Sequence, residues 1–358
     1  MKLLSIKPQN ILFIMASIAV LLTLQSCQSK PEVIKWQLQS QATKSSTDYK
    51  ELVKMAENIK VMSGGRFIIT PYPGGEITNG PDIFNAVKVG KVQMGSGWPN
   101  WWSGQHPAWA VMNAGPFDFM NIDASLMYFL AGEGTKLANE LANPEGVIWR
   151  AAWWPGMEFG LLSKKPITGI NDLKEMNVRI GPGLPSEVLA ATTGAYAIPL
   201  VPNEIKSSLQ NNSLDAVEWT SVSGAWNLGL NDIAKHAIVP AIWQPSVLAD
   251  FLINQQAYQA LPGDLQAILE TAIKSYTLTT TMKAKVEDFE ALHAFKNNGT
   301  QITQWSDSDI EQWRTVSEKI VGEYKAKDEF TKRLIESKQD FKKEYTLYYQ
   351  LFGAYDNK

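Results

Sequence analysis

The feature that most constrains this chain is a repeated switch of apolar periodicity between two residues and about 3.6, running from Val33 to Trp219. Val33 to Gln41 sets Ile34, Trp36 and Leu38 against Lys35, Gln37 and Gln39, the alternation of a half-buried strand. A helix follows, capped by Ser46 or Thr47, with Tyr49, Leu52, Met55, Ala56 and Ile59 on one face. Ser63-Gly64-Gly65 turns the chain into a strand at Arg66 to Ile69, and Pro71 to Gly75 breaks it. The spacing then predicts a helix from Pro81 to Val89, with proline in its first turn. The rhythm returns at Val92 to Met94, at Met176 to Ile180 followed by Ser186 to Thr193, and at Leu214 to Trp219. Such alternation implies an α/β fold of parallel sheets covered by helices. From Leu261 onward the chain becomes long, charged and helical, broken by Asn297-Asn298-Gly299 and a short strand-like stretch at Gln301 to Thr303. That part reads as helices bracing what precedes it.

At 358 residues the chain exceeds what one compact core usually serves, so two lobes are expected. No polar linker separates them, which implies that the chain crosses between lobes more than once and leaves a cleft at the crossing. Residues 11 to 24 form an uncharged apolar run behind Lys2 and Lys7, the layout of a secretory signal and too short for a comfortable membrane span. The only cysteine, Cys27, follows directly and resembles the lipid-modified cysteine of a bacterial lipobox; the other reading is a chance cysteine in an ordinary cleaved signal. An acyl chain there would tether a soluble domain to the membrane without spanning it.

Several function classes lack their signatures. The formal charge of −3, with acids and bases intermixed, argues against nucleic acid as a partner. No GxxxxGK[ST] or helix-opening GxGxxG cradles a phosphate, no GxSxG elbow is present, and His106, His236 and His293 have no metal-ligand spacing. The 13 tryptophans suit a core or a ligand cleft equally.

Four places can carry recognition chemistry. Arg179 ends a strand-like Val178-Arg179-Ile180, and Gly181-Pro182-Gly183 leads on to a helix near Ser186. Ligands of open α/β sheets sit at the carboxyl ends of strands, where a guanidinium takes a carboxylate through two parallel hydrogen bonds. The alternative is an arginine turned to solvent or paired with an acid. Glu218 and Trp219 end the strand from Leu214 and would face the same crevice; a solvated strand end is the plainer reading. Trp153 to Glu158 and Ile242-Trp243-Gln244-Pro245 are aromatic stretches carrying a carboxyl or amide oxygen, consistent with a hinge or core as well as a site.

Taken in order, Ser63-Gly64-Gly65-Arg66-Phe67, Ile170 to Lys174 running to Ile180, Gly194-Ala195, Leu214 to Trp219, and Tyr258 to Pro262 with Gln266 resemble the extracytoplasmic solute receptors of TRAP transporters, sodium-driven importers of organic acids. The resemblance implies a periplasmic-binding-protein-like fold of two α/β lobes around a cleft. One lobe would comprise 33–157 plus about 250–300 and the other 158–249, with 301–358 as C-terminal bracing helices and 1–26 as a signal peptide. Within the family the chain looks most like the branch that binds 2-oxo or 2-hydroxy monocarboxylates with a metal ion. By that likeness Arg179 clamps the carboxylate, and Glu158, Glu218, the carbonyl of Trp219 and Gln244 hold the ion. The branch has an amide at the first of these positions and a carboxylate at the last, so Glu158 and Gln244 exchange those roles at unchanged cage charge. All-oxygen ligands suit sodium or calcium. Trp98, Asn100, Trp101 and Trp102 fall where the family lays an aromatic loop over the ligand, with at least one tryptophan expected to pack internally. The likeness also implies TRAP membrane subunits as partners, lobe closure on binding, a periplasmic location, and a homodimer through a helix from Lys325 to Leu351 bearing Tyr345, Tyr348, Tyr349 and Phe352. Two other readings compete: a secreted glycoside hydrolase with Glu158 and Glu218 facing each other across a sugar groove, and a receptor coupled to a membrane sensor.

Overall fold

The computed structural model describes residues 32–113 and 115–353; the expected signal segment and Cys27 lie outside them. Among the described residues, eleven strands form two sheets: β1 (Ile34–Ser40), β2 (Phe67–Tyr72), β3 (Met94–Gly97), β4 (Val147–Trp153), β5 (Leu161–Ser163), β6 (Asn177–Arg179), β7 (Tyr196–Ile198), β8 (Ala216–Val217), β9 (His236–Val239), β10 (Ala249–Asn254) and β11 (Gln301–Gln304). The first sheet has the order β2-β1-β3-β10-β4 and the second β11-β9-β5-β8-β6-β7.

Neither sheet is purely parallel, which corrects the expectation drawn from the alternating pattern. In the first, β10 runs antiparallel to β3 and β4; in the second, β5 runs antiparallel to β8 and β9. Both exceptions arrive directly from the other lobe. Parallel neighbours within a lobe need a helical crossover, whereas a strand entering from outside is free to insert in the opposite sense. The chain passes between lobes along 154–160, again along 240–248, and a third time through the long helix Gly263–Asn297 into β11.

That helix has 35 residues, roughly 50 Å of length. Its middle carries Thr277, Thr279, Thr280 and Thr281, poor helix formers that tertiary contacts tolerate. Thr281 Oγ1 accepts from the Trp154 amide at 3.1 Å and Thr277 Oγ1 donates to the Ala151 carbonyl at 3.3 Å, so the helix is stitched to the first crossing. Further along, Asp288 Oδ1 accepts from the Ser223 amide at 2.7 Å in the second lobe. Gly156 lies between, at φ +133°, where a Cβ would stand 1.9 Å from Asp288 Oδ2. Only glycine lets the crossing pass this close to the helix.

The C-terminal segment divides where one helix from Lys325 was expected. Asp307–Lys325 starts on a Ser306/Asp309 capping box, and Glu329–Phe352 starts on Asp328, whose side chain accepts from the Thr331 amide. The first packs on Leu184–Thr193, with Tyr324 Oη donating to Glu187 at 2.6 Å; the second packs on Ala108–Met112, with Lys338 Nζ donating to the Val111 carbonyl at 2.8 Å. One helix therefore holds each lobe. Trp243, Trp305 and Trp313 meet at centroid distances of 5.2–6.4 Å and join the second crossing to the first of these helices.

Candidate functional site

Arg179 is the last residue of β6, and Glu218 follows the last residue of β8. The strands are parallel neighbours with Arg179 opposite Val217, so both side chains leave the sheet at its carboxyl edge. Arg179 Nη1 donates to Glu218 Oε2 and to the Glu218 carbonyl, each at 2.8 Å. Its Nε and Nη2 reach the Leu200 carbonyl at 3.2 and 3.1 Å, and the guanidinium lies 4.8 Å from the Trp219 ring centroid. The arginine is thus held flat by carbonyls and an indole, which fixes its plane before any ligand arrives.

The two crossings supply the rest. Glu158 lies on the first and Gln244 on the second. Gln244 Nε2 donates to Glu218 Oε1 at 2.5 Å and approaches the Glu158 carboxylate at 3.3 and 3.5 Å. Arg179, Glu218, Glu158 and Gln244 are each at most 5% exposed. Burial, then the adjacent Glu218 charge, pushes the Glu158 carboxyl well above its usual range; Arg179 and the Gln244 hydrogen bond oppose this. Burial likewise lowers Arg179, while both glutamates counter it. Arg179 and Glu218 neutralise each other, which leaves the Glu158 charge to be met by a proton or a cation.

A hard cation fits this donor set. Among the described residues no three His, Cys, Asp or Glu side chains converge as metal ligands, so the cluster combines two carboxylates with amide and carbonyl oxygens and offers no soft donor. Glu158 and Glu218 would hold the ion. Gln244 would join through Oε1, turning the amide that here donates its N–H to both carboxylates. The bound ion would supply the positive charge that the buried Glu158 needs.

The cavity enclosed by these groups is about 30 Å³ and is also lined by Trp98, Asn100, Trp101, Asn113, Gly181 and Thr220. Asn100 Nδ2 donates across the lobes to the Pro182 carbonyl at 2.9 Å and its Oδ1 accepts from Asn113 at 3.3 Å, so Asn100 ties the lobes together over the site. Trp98 stacks at a tilt on Trp153, centroids 6.3 Å apart, and Trp219 reaches the cleft through its ring.

Trp102 stands apart from the expected aromatic loop. It is buried under the cleft and donates from Nε1 to Asp250 Oδ2 at 2.8 Å, as does Trp149. The cause is local: Pro99–Trp102 is a 3₁₀ turn, in which side chains three apart eclipse. Within that turn it is Pro99 and Trp102 that share a direction, so Trp102 turns inward, while Trp101 lines the cleft beside Trp98, the extended residue before the turn. Trp101 takes the cleft-lining place expected of Trp102.

Other lining residues lacked a readable signal. Gly181 donates its amide to Glu218 Oε2 at 3.2 Å, and a Cβ there would come within 3.1 Å of Asn100 Nδ2. Thr220 sits at φ +26°, a strained backbone beside the site. Asn113 keeps a buried Oδ1 without a partner. Only the glycine run at 181–183 marked this region in advance.

Residues 38–328 match the family model for bacterial extracellular solute-binding proteins of family 7. The chain belongs to that family. It is therefore a TRAP-type solute receptor, and the hydrolase alternative falls, because members of this family bind solutes without transforming them. The receptor is 29% identical over 311 residues, 87% of this chain and 85% of the relative, to the monocarboxylate 2-oxoacid-binding periplasmic protein of Nostoc sp. PCC 7120. Among solved structures, a TRAP solute-binding protein of Pseudoalteromonas atlantica with bound sodium and pyruvate superposes with TM-score 0.84 at 25% identity, covering 89% of this receptor and 97% of that chain. One from Colwellia psychrerythraea with bound calcium and pyruvate gives TM-score 0.84 at 26% identity over the same shares.

Proposed function

We propose that this receptor binds a small 2-oxo or 2-hydroxy monocarboxylate together with sodium or calcium and presents it to TRAP membrane subunits in the periplasm. The observation that carries the reading is the buried cluster of Arg179, Glu218, Glu158 and Gln244 at the meeting of both crossings. Arg179 is the one cation among the described residues lining the cavity; as the Glu218 carboxylate turns from it to the ion, Nη1 is freed and, with the remaining N–H of Nη2, clamps the solute carboxylate. The solute's 2-oxygen completes the ion's ligands with Glu158, Glu218, Gln244 and the Trp219 carbonyl. Trp98, Trp101 and Asn100 close over it, and exclusion of water strengthens each charge contact. Two glutamates and the solute against one guanidinium leave two negative charges, which calcium cancels fully and sodium by half.

Two further features extend the reading. The solvent-exposed Tyr348, Tyr349 and Phe352 on the last helix would pair with a second copy, giving a homodimer. Cys27, behind its apolar run, would carry a lipid that keeps the receptor at the membrane.

Thermal melting of chelator-stripped protein tests the ligand assignment. Pyruvate or lactate at about 100 times its dissociation constant should stabilise the fold by roughly 2.7 kcal/mol, and only when calcium or sodium is present. A shift that ignores the ion would refute the ternary site, and no shift with any such acid would refute the ligand class.

A further inference from the structure

The cleft around Arg179 and Glu158 holds about 30 Å³, and a chamber of about 80 Å³ adjoins it. Trp98, Trp219 and Thr220 line both, so the chamber is where a solute's chain would continue once its carboxylate and 2-oxygen are engaged. At 10–15 Å³ for each water-sized position, the chamber takes roughly five to eight heavy atoms. That exceeds the single methyl of a three-carbon acid.

The lining has two characters. Trp98, Trp153 and Trp219 present indole surface, which packs against C–H groups. The same lining carries the amides of Gln41 and Asn227 and the hydroxyls of Thr43 and Ser223. The Gln41 side-chain oxygen is buried with no hydrogen-bond partner, an acceptor that a solute hydroxyl would satisfy. The two charged groups among the described lining residues are both acids, Asp48 and Glu287. Burial pushes the Asp48 carboxyl up to about 6, and the Glu287 charge adds to it. A second solute carboxylate would meet like charge here with no cation on the chamber wall.

We propose that this chamber seats an uncharged, polyhydroxylated tail, so that the solutes bound best are aldonic-type acids, with two or three hydroxylated carbons beyond the 2-position, in preference to short apolar acids or dicarboxylates. The proposal rests on the carboxylate and ion assignment given above. Indole faces take the carbon chain, Gln41 and Asn227 take its hydroxyls, and Glu287 with Asp48 rejects a second carboxylate.

Calorimetric titration of the full chain in calcium and sodium with four acids tests it: lactate, 2-hydroxybutanoate, threonate and malate, both enantiomers of each. Threonate should bind about tenfold more tightly than 2-hydroxybutanoate, the worth of one or two neutral hydrogen bonds, and malate most weakly. Gln41→Leu, or the exposed Asn227→Ala, should shrink threonate's advantage while leaving the lactate affinity unchanged. Equal binding of 2-hydroxybutanoate and threonate, tightest binding by malate, or a threonate advantage untouched by both variants overturns the chamber assignment alone. If none of the four acids binds, the carboxylate reading fails as well.

Discussion

Replacing Arg179 with methionine keeps an unbranched stem as far as the Nε position and removes the guanidinium and its charge, and its cost can be worked from the contacts. Wild-type Arg179 gives Glu218 a bond at 2.8 Å to the carboxylate and another to its carbonyl, and satisfies the Leu200 carbonyl. Without it Glu218, 2% exposed and next to Glu158, is a buried anion without its counter-charge. Breaking a buried pair from one side costs about 3–5 kcal/mol. Urea denaturation of the metal-free protein at neutral pH should register a loss of that size. Adding Glu218→Gln removes the stranded anion, so the double variant should recover much of the loss, a coupling visible in a double-mutant cycle. Calcium should also restore part of the single variant's stability by supplying the missing positive charge. Carboxylate binding should weaken by about 2–5 kcal/mol in either variant, at least thirtyfold. An Arg179→Met loss under about 1 kcal/mol, or a double variant no more stable than the single, would show that the two groups are not paired as described.

The elevated Glu158 carboxyl predicts a pH dependence of the metal-free receptor. A carboxyl raised in the fold above its unfolded value near 4.5 contributes stability that is complete below that value and is lost as pH rises through the folded one. As pH is raised above the unfolded value near 4.5, melting temperatures should therefore fall more steeply without calcium than with it, and Glu158→Gln should flatten the metal-free slope while abolishing the calcium response. Trp102→Phe should cost about 1–3 kcal/mol of stability, because Asp250, itself held at about 7 by burial, loses one of its two indole donors. Its ligand affinity should match wild type; a large affinity loss would put Trp102 back in the cleft.

Local pattern carried a large part of the fold. The helix Thr47–Met62 buries Leu52, Met55, Ala56 and Ile59, the stripe its spacing announces, and β1 buries Trp36 and Leu38 on the expected face. These signals survive because burial of one face is written into residue order at a fixed period. Strand polarity is not written that way: β5 and β10 read like any other strand, and their antiparallel sense follows from the route by which the chain enters each sheet. The break at residues 326–328 was legible only through Asp328, whose capping role needs the Thr331 amide to be in place.

For the site, the sequence by itself determined the residue types: an arginine and a glutamate at strand ends, and oxygen-bearing side chains in two tryptophan-rich segments. The tertiary structure alone decided their convergence. Glu158 and Gln244 are 86 positions apart and meet because both crossings run side by side between the lobes. It also decided which tryptophans face the cleft, since one 3₁₀ turn separates the directions of its neighbours Trp101 and Trp102, leaving Trp101 at the cleft and burying Trp102 on Asp250. Periodicity reports which face of an element is buried. It is silent on which distant element does the burying, and binding chemistry depends on that second fact.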